Sequence, residues 1–209
     1  MNIRANLHPK VIRDPDGTRE TILDAAFQEI HRHGFQASSL ANILSKTGLT
    51  KGALYHHFPT KSDLGLAVIE EVVQEGLDAM VFAPLRESSE PFETLLEIVR
   101  RKGQKAEPES VTLGCPLNNL MQEMSPLDNT FKKQLNGVLM MWQSVVADAL
   151  ARARKQGRVR RDVDCRAAAL FIVSSWEGCA GVAKNLQSVK DFRLCMKQLE
   201  SYVASLADG

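Results

Sequence analysis

The 209-residue sequence has little of several features that mark large classes of protein. Its four cysteines show no CxxC spacing, which argues against a zinc site and against a disulfide framework. No apolar run approaches the roughly 18 residues of a membrane-spanning helix, and the N-terminus lacks the apolar segment of a signal peptide. We therefore expect a cytoplasmic protein with reduced thiols, no bound metal or cofactor and no membrane partner.

An excess of charge of one sign is also missing. The chain has 26 Lys and Arg against 25 Asp and Glu, for a formal net charge of +1. Through residue 63, eight basic side chains stand against six acidic ones, which is only a mild basic bias. A broad basic surface is thus not expected, and any DNA binding must depend on a few placed contacts and on dimerisation.

Strand-type alternation is absent, and apolar residues recur at helical spacing along most of the chain. The composition, 44% hydrophobic and 24% charged, is that of an ordinary globular protein. Together these patterns predict an all-α chain. The longer helices are expected at about 18–33, 61–82, 91–106, 127–156, 163–186 and 189–206.

Residues 40–64 (LANILSKTGLTKGALYHHFPTKSDL) contain two short helical patterns separated by a turn. The first has the i, i+3, i+4 spacing of one buried helix face, in Leu40, Ile43 and Leu44. Gly48 can close that helix in the left-handed conformation, and Thr50 stands where an N-cap would begin the next. Two helices with such a turn predict a helix-turn-helix, whose second helix fits the DNA major groove.

The segment GLTKGALYHHFPTKSDL (48–64) resembles the recognition segment of TetR-type transcriptional repressors. The preceding helix, which ends at His33-Gly34-Phe35 and is followed by Ala37-Ser38-Ser39-Leu40, fits the same family, so the resemblance covers roughly residues 18–66. Residues 1–17 are polar and have no usable periodicity, which predicts a flexible arm. The resemblance implies a three-helix helix-turn-helix domain at 18–62. A larger helical domain for effector binding and dimerisation would follow at 63–209, with about nine helices in all.

Several side chains around the predicted turn are suited to DNA. Hydroxyls, lysines and helix N-terminal amides bind phosphate, and small residues let a helix approach base edges. The predicted contacts are Ser38, Ser39, Thr50, Lys51, Gly52, Ala53, Tyr55, His56 and Lys61. Ala41 and Asn42 replace basic residues often found nearby in the family. The arm carries Arg4, Lys10 and Arg13, which either reach a minor groove or belong to an ordinary terminus.

The resemblance also implies an effector cavity between the helices of the C-terminal domain. The candidate lining residues are Phe92, Leu95, Cys115, Asn118, Met121, Gln122, Phe131, Leu135, Trp142, Trp176 and Glu177. Aromatic and methionine side chains with a few amides and one carboxylate favour a lipophilic or planar effector. The simpler alternative is that each of these residues only fills the core.

Cys115 lies directly before Pro116, which favours the first turn of a helix. An N-cap position would stabilise a thiolate through the helix dipole. Gly114, Cys115 and the following Asn118-Asn119 resemble a G-C-x-x-x-N element found in a subset of TetR-type repressors, in which the cysteine senses electrophiles or oxidants. The alternative is a small packing residue at a helix start.

The last two helices are rich in small and apolar residues, and the resembled family dimerises through a four-helix bundle built from the corresponding helices. A two-fold dimer requires a palindromic operator. The resemblance therefore implies a repressor that binds double-stranded DNA as a homodimer and is released by a small-molecule or electrophilic effector. An activator or an architectural protein without effector would have the same DNA-binding half. An enzyme is disfavoured because no nucleophile–base pair or metal spacing is visible.

Overall fold

The computed structural model describes residues 15–208. The basic residues predicted to form part of an N-terminal arm, Arg4, Lys10 and Arg13, lie outside that range. The first helix, α1, spans Pro15–His33 and so begins three residues before its expected start. Helix α2 (Leu40–Thr47) and helix α3 (Lys51–His57) follow, as the sequence predicts.

The turn between α2 and α3 has the predicted chemistry. Ser39 caps α2, and its hydroxyl accepts a hydrogen bond from the Asn42 N–H at 3.3 Å. Gly48 takes the left-handed conformation with φ 66° and ends that helix. Thr50 caps α3, with its hydroxyl accepting from the Ala53 N–H at 3.2 Å. The helix-turn-helix is therefore fixed by local hydrogen bonds that the sequence specifies.

Residues 61–87 are helical without interruption and are called α4. The run joins α-helical segments at Lys61–Val68, Glu75–Leu77 and Ala83–Glu87 with wider π-helical turns at Ile69–Gln74 and Asp78–Phe82. The predicted end near Phe82 is wrong. Pro84 lies in the first turn of the last α-helical segment, where a missing N–H is tolerated, so it does not end the helix.

The larger helical unit continues with six more helices: α5 (Pro91–Gln104), α6 (Pro108–Leu113), α7 (Pro116–Met124), α8 (Asn129–Lys155), α9 (Cys165–Leu186) and α10 (Val189–Ala204). With 61–87 counted as one helix, the described residues form ten, and they contain no strand beyond one isolated bridge between Val159 and Ala207. The all-α prediction of about nine helices is confirmed. None of the helices in the described part is both long and apolar enough to span a bilayer.

The three-helix unit packs on the larger unit through aromatic rings. Phe35, after α1, and Phe131 of α8 are both buried, with ring centroids 4.6 Å apart. Gly65 of α4 lies against both, and a Cβ at that position would run into the two rings. The missing side chain therefore lets α4 approach the end of α1 and the start of α8 closely.

Two of the four cysteines depart from the expectation of reduced thiols. Cys179 of α9 and Cys195 of α10 form a disulfide with their Cα atoms 5.6 Å apart, whereas Cys115 and Cys165 are free. The search for local spacing missed this pair because it lies 16 residues apart on two neighbouring helices. Only the packing of α9 on α10 brings the two sulfurs together.

Candidate functional site

The outer face of α3 presents a small group of polar side chains to solvent. Lys51, Gly52, Tyr55 and His56 are exposed, and Thr50 is exposed at the N-cap. The Lys51 ammonium lies 5.7 Å from the centroid of the Tyr55 ring. Because the chain forms no carboxylate contact with Lys51 in the described part, this face offers a cation and hydroxyls to an anionic partner.

The inner face of α3 is held by the core of the three-helix unit. Leu54 and Phe58 are buried, with Ile43 of α2 among the same cluster. His57 is half-buried on this side of the helix. Ala53 is also half-buried, so only part of its surface is open to a partner. Helix α3 thus has one side buried in the core and one side exposed to solvent.

Two of the predicted DNA contacts, Ser38 and Lys61, have hydrogen-bond partners within the protein. Ser38 is buried, and its hydroxyl donates to the Phe35 carbonyl at 2.7 Å. The Lys61 ammonium donates to the carbonyls of Gln36 at 3.1 Å and Ser38 at 2.7 Å. The prediction for Ser38 is therefore wrong, because its side chain points inward. Lys61 stabilises the turn after α1, because the carbonyls of that turn accept no hydrogen bonds from helix N–H groups.

Sequence reasoning missed that Asn42 of α2 forms a hydrogen bond with a buried carboxylate of α1. Glu29 of α1 is 2% exposed and accepts hydrogen bonds from Asn42 Nδ2 at 2.9 Å and from the Lys46 ammonium at 3.0 Å. Burial opposes ionisation, but these bonds and the Ser39 N–H hold the pKa of Glu29 below its ordinary value. A buried, ionised carboxylate thus fixes α2 and its cap to α1.

A cavity of about 990 Å³ lies between the end of α1, the middle of α4 and the helices of the larger unit. Its inner wall is aromatic, with the rings of Trp142 and Trp176 in a T-shaped contact at 5.5 Å. Three of the predicted lining residues are in this wall: Cys115, Trp142 and Trp176. A volume of this size is within the range of sites that enclose small organic molecules.

The other predicted lining residues lie elsewhere. Asn118 and Gln122 line a neighbouring cavity of about 550 Å³ at the end of α1, and Met121 lines a third of about 490 Å³. Four buried residues line none of these three cavities, namely Phe92, Leu95, Phe131 and Leu135. They point inward as helical spacing requires, but they meet other side chains. Glu177 also lines none of the three cavities, but its Oε1 accepts a hydrogen bond from the thiol of Cys115, which does line the main one.

Sequence reasoning missed the contributions of α1, α4 and α5 to the main cavity. Phe27 and His31 come from α1, Val72, Gly76 and Met80 from α4, and Lys102 from α5. The sequence places α1 in the DNA-binding domain and predicts no lining residue on α4, and on α5 it predicts Phe92 and Leu95 instead of Lys102. The hydrophobic spacing of these helices carries no signal that part of the inward face borders open space.

The environment of Cys115 opposes a thiolate. The residue is the N-cap of α7, as predicted, but its Sγ–H donates to Glu177 Oε1 at 3.2 Å. Burial, together with the Glu177 carboxylate, raises the pKa of the Cys115 thiol to about 12. The expectation that the helix dipole would stabilise a thiolate is therefore wrong here, because desolvation outweighs the dipole.

We predict that Cys115 reacts slowly with N-ethylmaleimide in the native protein near neutral pH. A raised pKa leaves almost no thiolate, which is the nucleophilic form. Peptide mapping by mass spectrometry should find Cys115 largely unmodified after a labelling time that fully modifies an exposed thiol. The same protein labelled in guanidinium chloride is the control. Rapid native labelling of Cys115 would contradict the protonated, hydrogen-bonded thiol.

Both ends of α7 contact the C-terminal end of α1. Before α7, the Gly114 carbonyl accepts a hydrogen bond from His31 Nε2 at 2.9 Å. Near its other end, the Glu123 carboxylate accepts from the backbone N–H groups of Phe35 at 2.8 Å and Gln36 at 2.7 Å. Since Cys115 and Pro116 line the cavity, α7 joins the cavity wall directly to the turn that supports α2.

Comparisons with known proteins agree with this architecture. The family model "Bacterial regulatory proteins, tetR family" matches residues 22–68, and "Tetracyclin repressor-like, C-terminal domain" matches residues 91–199. The transcriptional regulator AcuR of Cereibacter sphaeroides is 29% identical over 84% of this chain and 80% of its own. The transcriptional repressor DhaR of a Mycobacterium species is 23% identical over 77% and 79%.

Solved structures give the same result. The regulatory protein TetR from Rhodobacter sphaeroides has a TM-score of 0.78 and 25% identity, and the match covers 88% of this chain and 98% of that one. A TetR-family regulator from Cytophaga hutchinsonii has a TM-score of 0.83 at 20% identity, covering 96% of this chain and 100% of that one, which supports the fold. The matched proteins are regulators of transcription, so the chain is not an enzyme. It belongs to the TetR family of bacterial transcriptional regulators.

Proposed function

We propose that this regulator is a cytoplasmic repressor that binds a palindromic operator as a homodimer and is released when a small molecule fills the 990 Å³ cavity. The observation that carries the proposal is the exposed face of α3, which presents Lys51, Tyr55 and His56 to solvent. Repression rather than activation is favoured because the related DhaR is named a repressor.

An apolar stripe on α9 supports the dimer. Leu170, Val182 and Leu186 are 52%, 61% and 55% exposed, and Ser174 and Gly178 continue the four-residue spacing between them. Leu194 of α10 is 57% exposed beside it. A second copy of the chain would cover this stripe, and the small residues at its centre would let two helices approach closely.

Dimerisation determines the form of the operator. A two-fold axis places two α3 helices on the same side of the duplex, so each reads one half-site. Half-sites about 34–36 Å apart, one helical turn, would fit successive major grooves. The nearly neutral chain offers little unspecific attraction, so simultaneous contact by both copies would supply most of the affinity.

Coupling between cavity and DNA is proposed to pass through α7 and α1. His31 lines the cavity and holds the Gly114 carbonyl, while Glu123 holds the turn after α1. A ligand that moves the wall at Cys115 and Pro116 would shift α7, and with it the support of α2. A differential affinity of a few kcal/mol between the two states changes occupancy about a hundredfold.

Lys51→Met tests the DNA-binding face. We expect operator affinity to fall about tenfold, and the slope of log affinity against log salt concentration to decrease by about one, because one phosphate contact is lost. The measurement is fluorescence anisotropy with DNA that flanks the protein's own gene, at several salt concentrations. Lys133→Met, on the exposed side of α8, is the matched control and should leave both values unchanged. Unchanged affinity and slope in Lys51→Met would remove α3 as the DNA contact.

A further inference from the structure

The charges that border the main cavity are not balanced. Three carboxylates line it, and each has a partner: Glu93 binds Arg158 at 2.7 Å, Glu97 binds Arg100 at 3.4 Å, and Glu107 caps α6. Lys102 of α5 also lines the cavity, but no carboxylate lies within 4 Å of its ammonium among the described residues. Arg101 is paired with Glu97 at 3.9 Å, whereas Lys105, like Lys102, has no such partner among the described residues. Lys105 is exposed and Lys102 is half-buried, so Lys102 is the inner unpaired cation of the lining.

The position of Lys102 relates this charge to the aromatic wall. Its ammonium lies 6.0 Å from the centroid of the Trp176 ring, and Trp176 is in T-shaped contact with Trp142. A cationic ligand would meet both a like charge and a ring face that already has a cation beside it. A neutral ligand would leave the ammonium without an anionic partner in a mostly apolar space.

The other titratable groups near Lys102 do not replace such a partner. Burial lowers the pKa of His31, so the imidazole is mainly neutral and adds no second fixed cation. Glu177 is 7% exposed, its Oε1 accepts a hydrogen bond from the Cys115 thiol, and burial raises its pKa to about 7. A bound anion beside Lys102 would disfavour the ionised form of Glu177 still further, so the two would not compete for the cation.

We infer that the effector is a flat or slender apolar monocarboxylate, whose carboxylate meets Lys102 while its apolar body lies against Trp142 and Trp176. The inference rests on the proposed function, because it names the ligand class of the cavity assigned there. Of the two unpaired lysines, only Lys102 is half-buried and lies against the aromatic wall, so the inner part of the cavity calls for one anionic group. The aromatic wall accommodates a planar or extended body, and the cavity volume of about 990 Å³ leaves room for both.

The cavity offers its own reporter. The chain has two tryptophans, and both line the cavity, so intrinsic tryptophan fluorescence reports occupancy directly. The probes are two matched pairs that differ only in charge: 3-phenylpropanoate with 3-phenylpropanamide, and octanoate with octanamide. Titrations use the full-length protein, and calorimetry confirms each dissociation constant.

In the wild-type protein, at least one carboxylate is expected to bind about tenfold or more tightly than its amide, since a charge-assisted hydrogen bond in a partly buried site is worth that much. Lys102→Met should remove this preference while leaving amide affinity within about twofold, because its thioether keeps the apolar stem. Lys105→Met, an exposed lysine on the same rim, is the control and should keep the preference.

Three results would overturn the inference: equal or tighter binding of both amides, a preference that survives in Lys102→Met, or no binding of any probe at millimolar concentration. The proposed function is tested separately by operator binding of the ligand-free protein. A protein that binds its operator but prefers the amides overturns the ligand class alone. One that prefers a carboxylate but binds no specific DNA overturns the repressor while the cavity's preference stands.

Discussion

Glu177→Gln is expected to raise the free energy of unfolding by about 2 kcal/mol at pH 8 and to change it little at pH 5. Glu177 is 7% exposed, and its Oε2 has no hydrogen-bond partner among the described residues. Burial raises the pKa of its carboxyl group from 4.5 to about 7, although Cys115 and Lys102 oppose the shift. The native protein therefore holds this proton more tightly than the unfolded chain does.

The sign follows from proton counting. Between pH 4.5 and about 7 the native state binds more protons at this site than the unfolded state, so stability falls as pH rises through that window and is level above it. The shift corresponds to about 3 kcal/mol at most. Replacement by glutamine removes this destabilisation at pH 8. The net gain is smaller by roughly 1 kcal/mol, because the new amide N–H groups need hydrogen-bond partners.

Urea unfolding of both proteins at pH 5 and pH 8 measures the effect. Glu70→Gln is the matched control, because Glu70 is exposed on α4 and should give the same small change at both pH values. A stability difference for Glu177→Gln that does not depend on pH would contradict a buried carboxyl group with a raised pKa. The effect of Glu177 on the free energy of unfolding would then come from packing alone.

The helix-turn-helix could be predicted because local interactions determine it. Ser39, Gly48 and Thr50 each act within four residues of their position, through a cap or a left-handed turn. The apolar spacing of Leu40, Ile43 and Leu44 likewise involves one helix only. Interactions over such short sequence distances can be identified from the local sequence alone, so α2 and α3 could be predicted without knowledge of the rest of the chain.

Contacts between distant segments could not be predicted in the same way. Lys61 was interpreted as a phosphate contact, but its ammonium meets the carbonyls of Gln36 and Ser38, more than 20 residues away. The pairing of Cys179 with Cys195 depends on the register of α9 against α10. Neither the Lys61 contacts nor the disulfide has a signal in the local sequence, because each depends on which side chain faces a neighbouring segment of the chain.

The cavity shows the limit most clearly. Helical spacing placed Leu135 and Trp142 on the same inward face of α8, and both are buried. Only Trp142 borders the cavity, whereas Leu135 packs into the core. Periodicity identifies the face that turns away from water, but open space on that face depends on how α1, α4 and α5 pack around it.

Val182→Glu is expected to convert the proposed dimer into monomers and to weaken operator binding by about a hundredfold or more. Val182 is 61% exposed on the α9 stripe, so the chain itself loses almost no packing when it is replaced. In a dimer, the two-fold axis would bury the carboxylate against the partner's apolar stripe. Burying an unpaired charge costs several kcal/mol, and the monomer would keep only one of two half-site contacts.

Leu127→Glu supplies the matched control, since Leu127 is 63% exposed in the connection between α7 and α8, away from the stripe. Sedimentation velocity and operator anisotropy should show a dimer with unchanged affinity for this control. For Val182→Glu, they should show monomers that retain helical circular dichroism and the cavity's ligand binding, because both belong to the single chain. If Val182→Glu sediments as a dimer with full operator affinity, the second copy does not bind at this stripe, and the recognition helices must be paired through another surface.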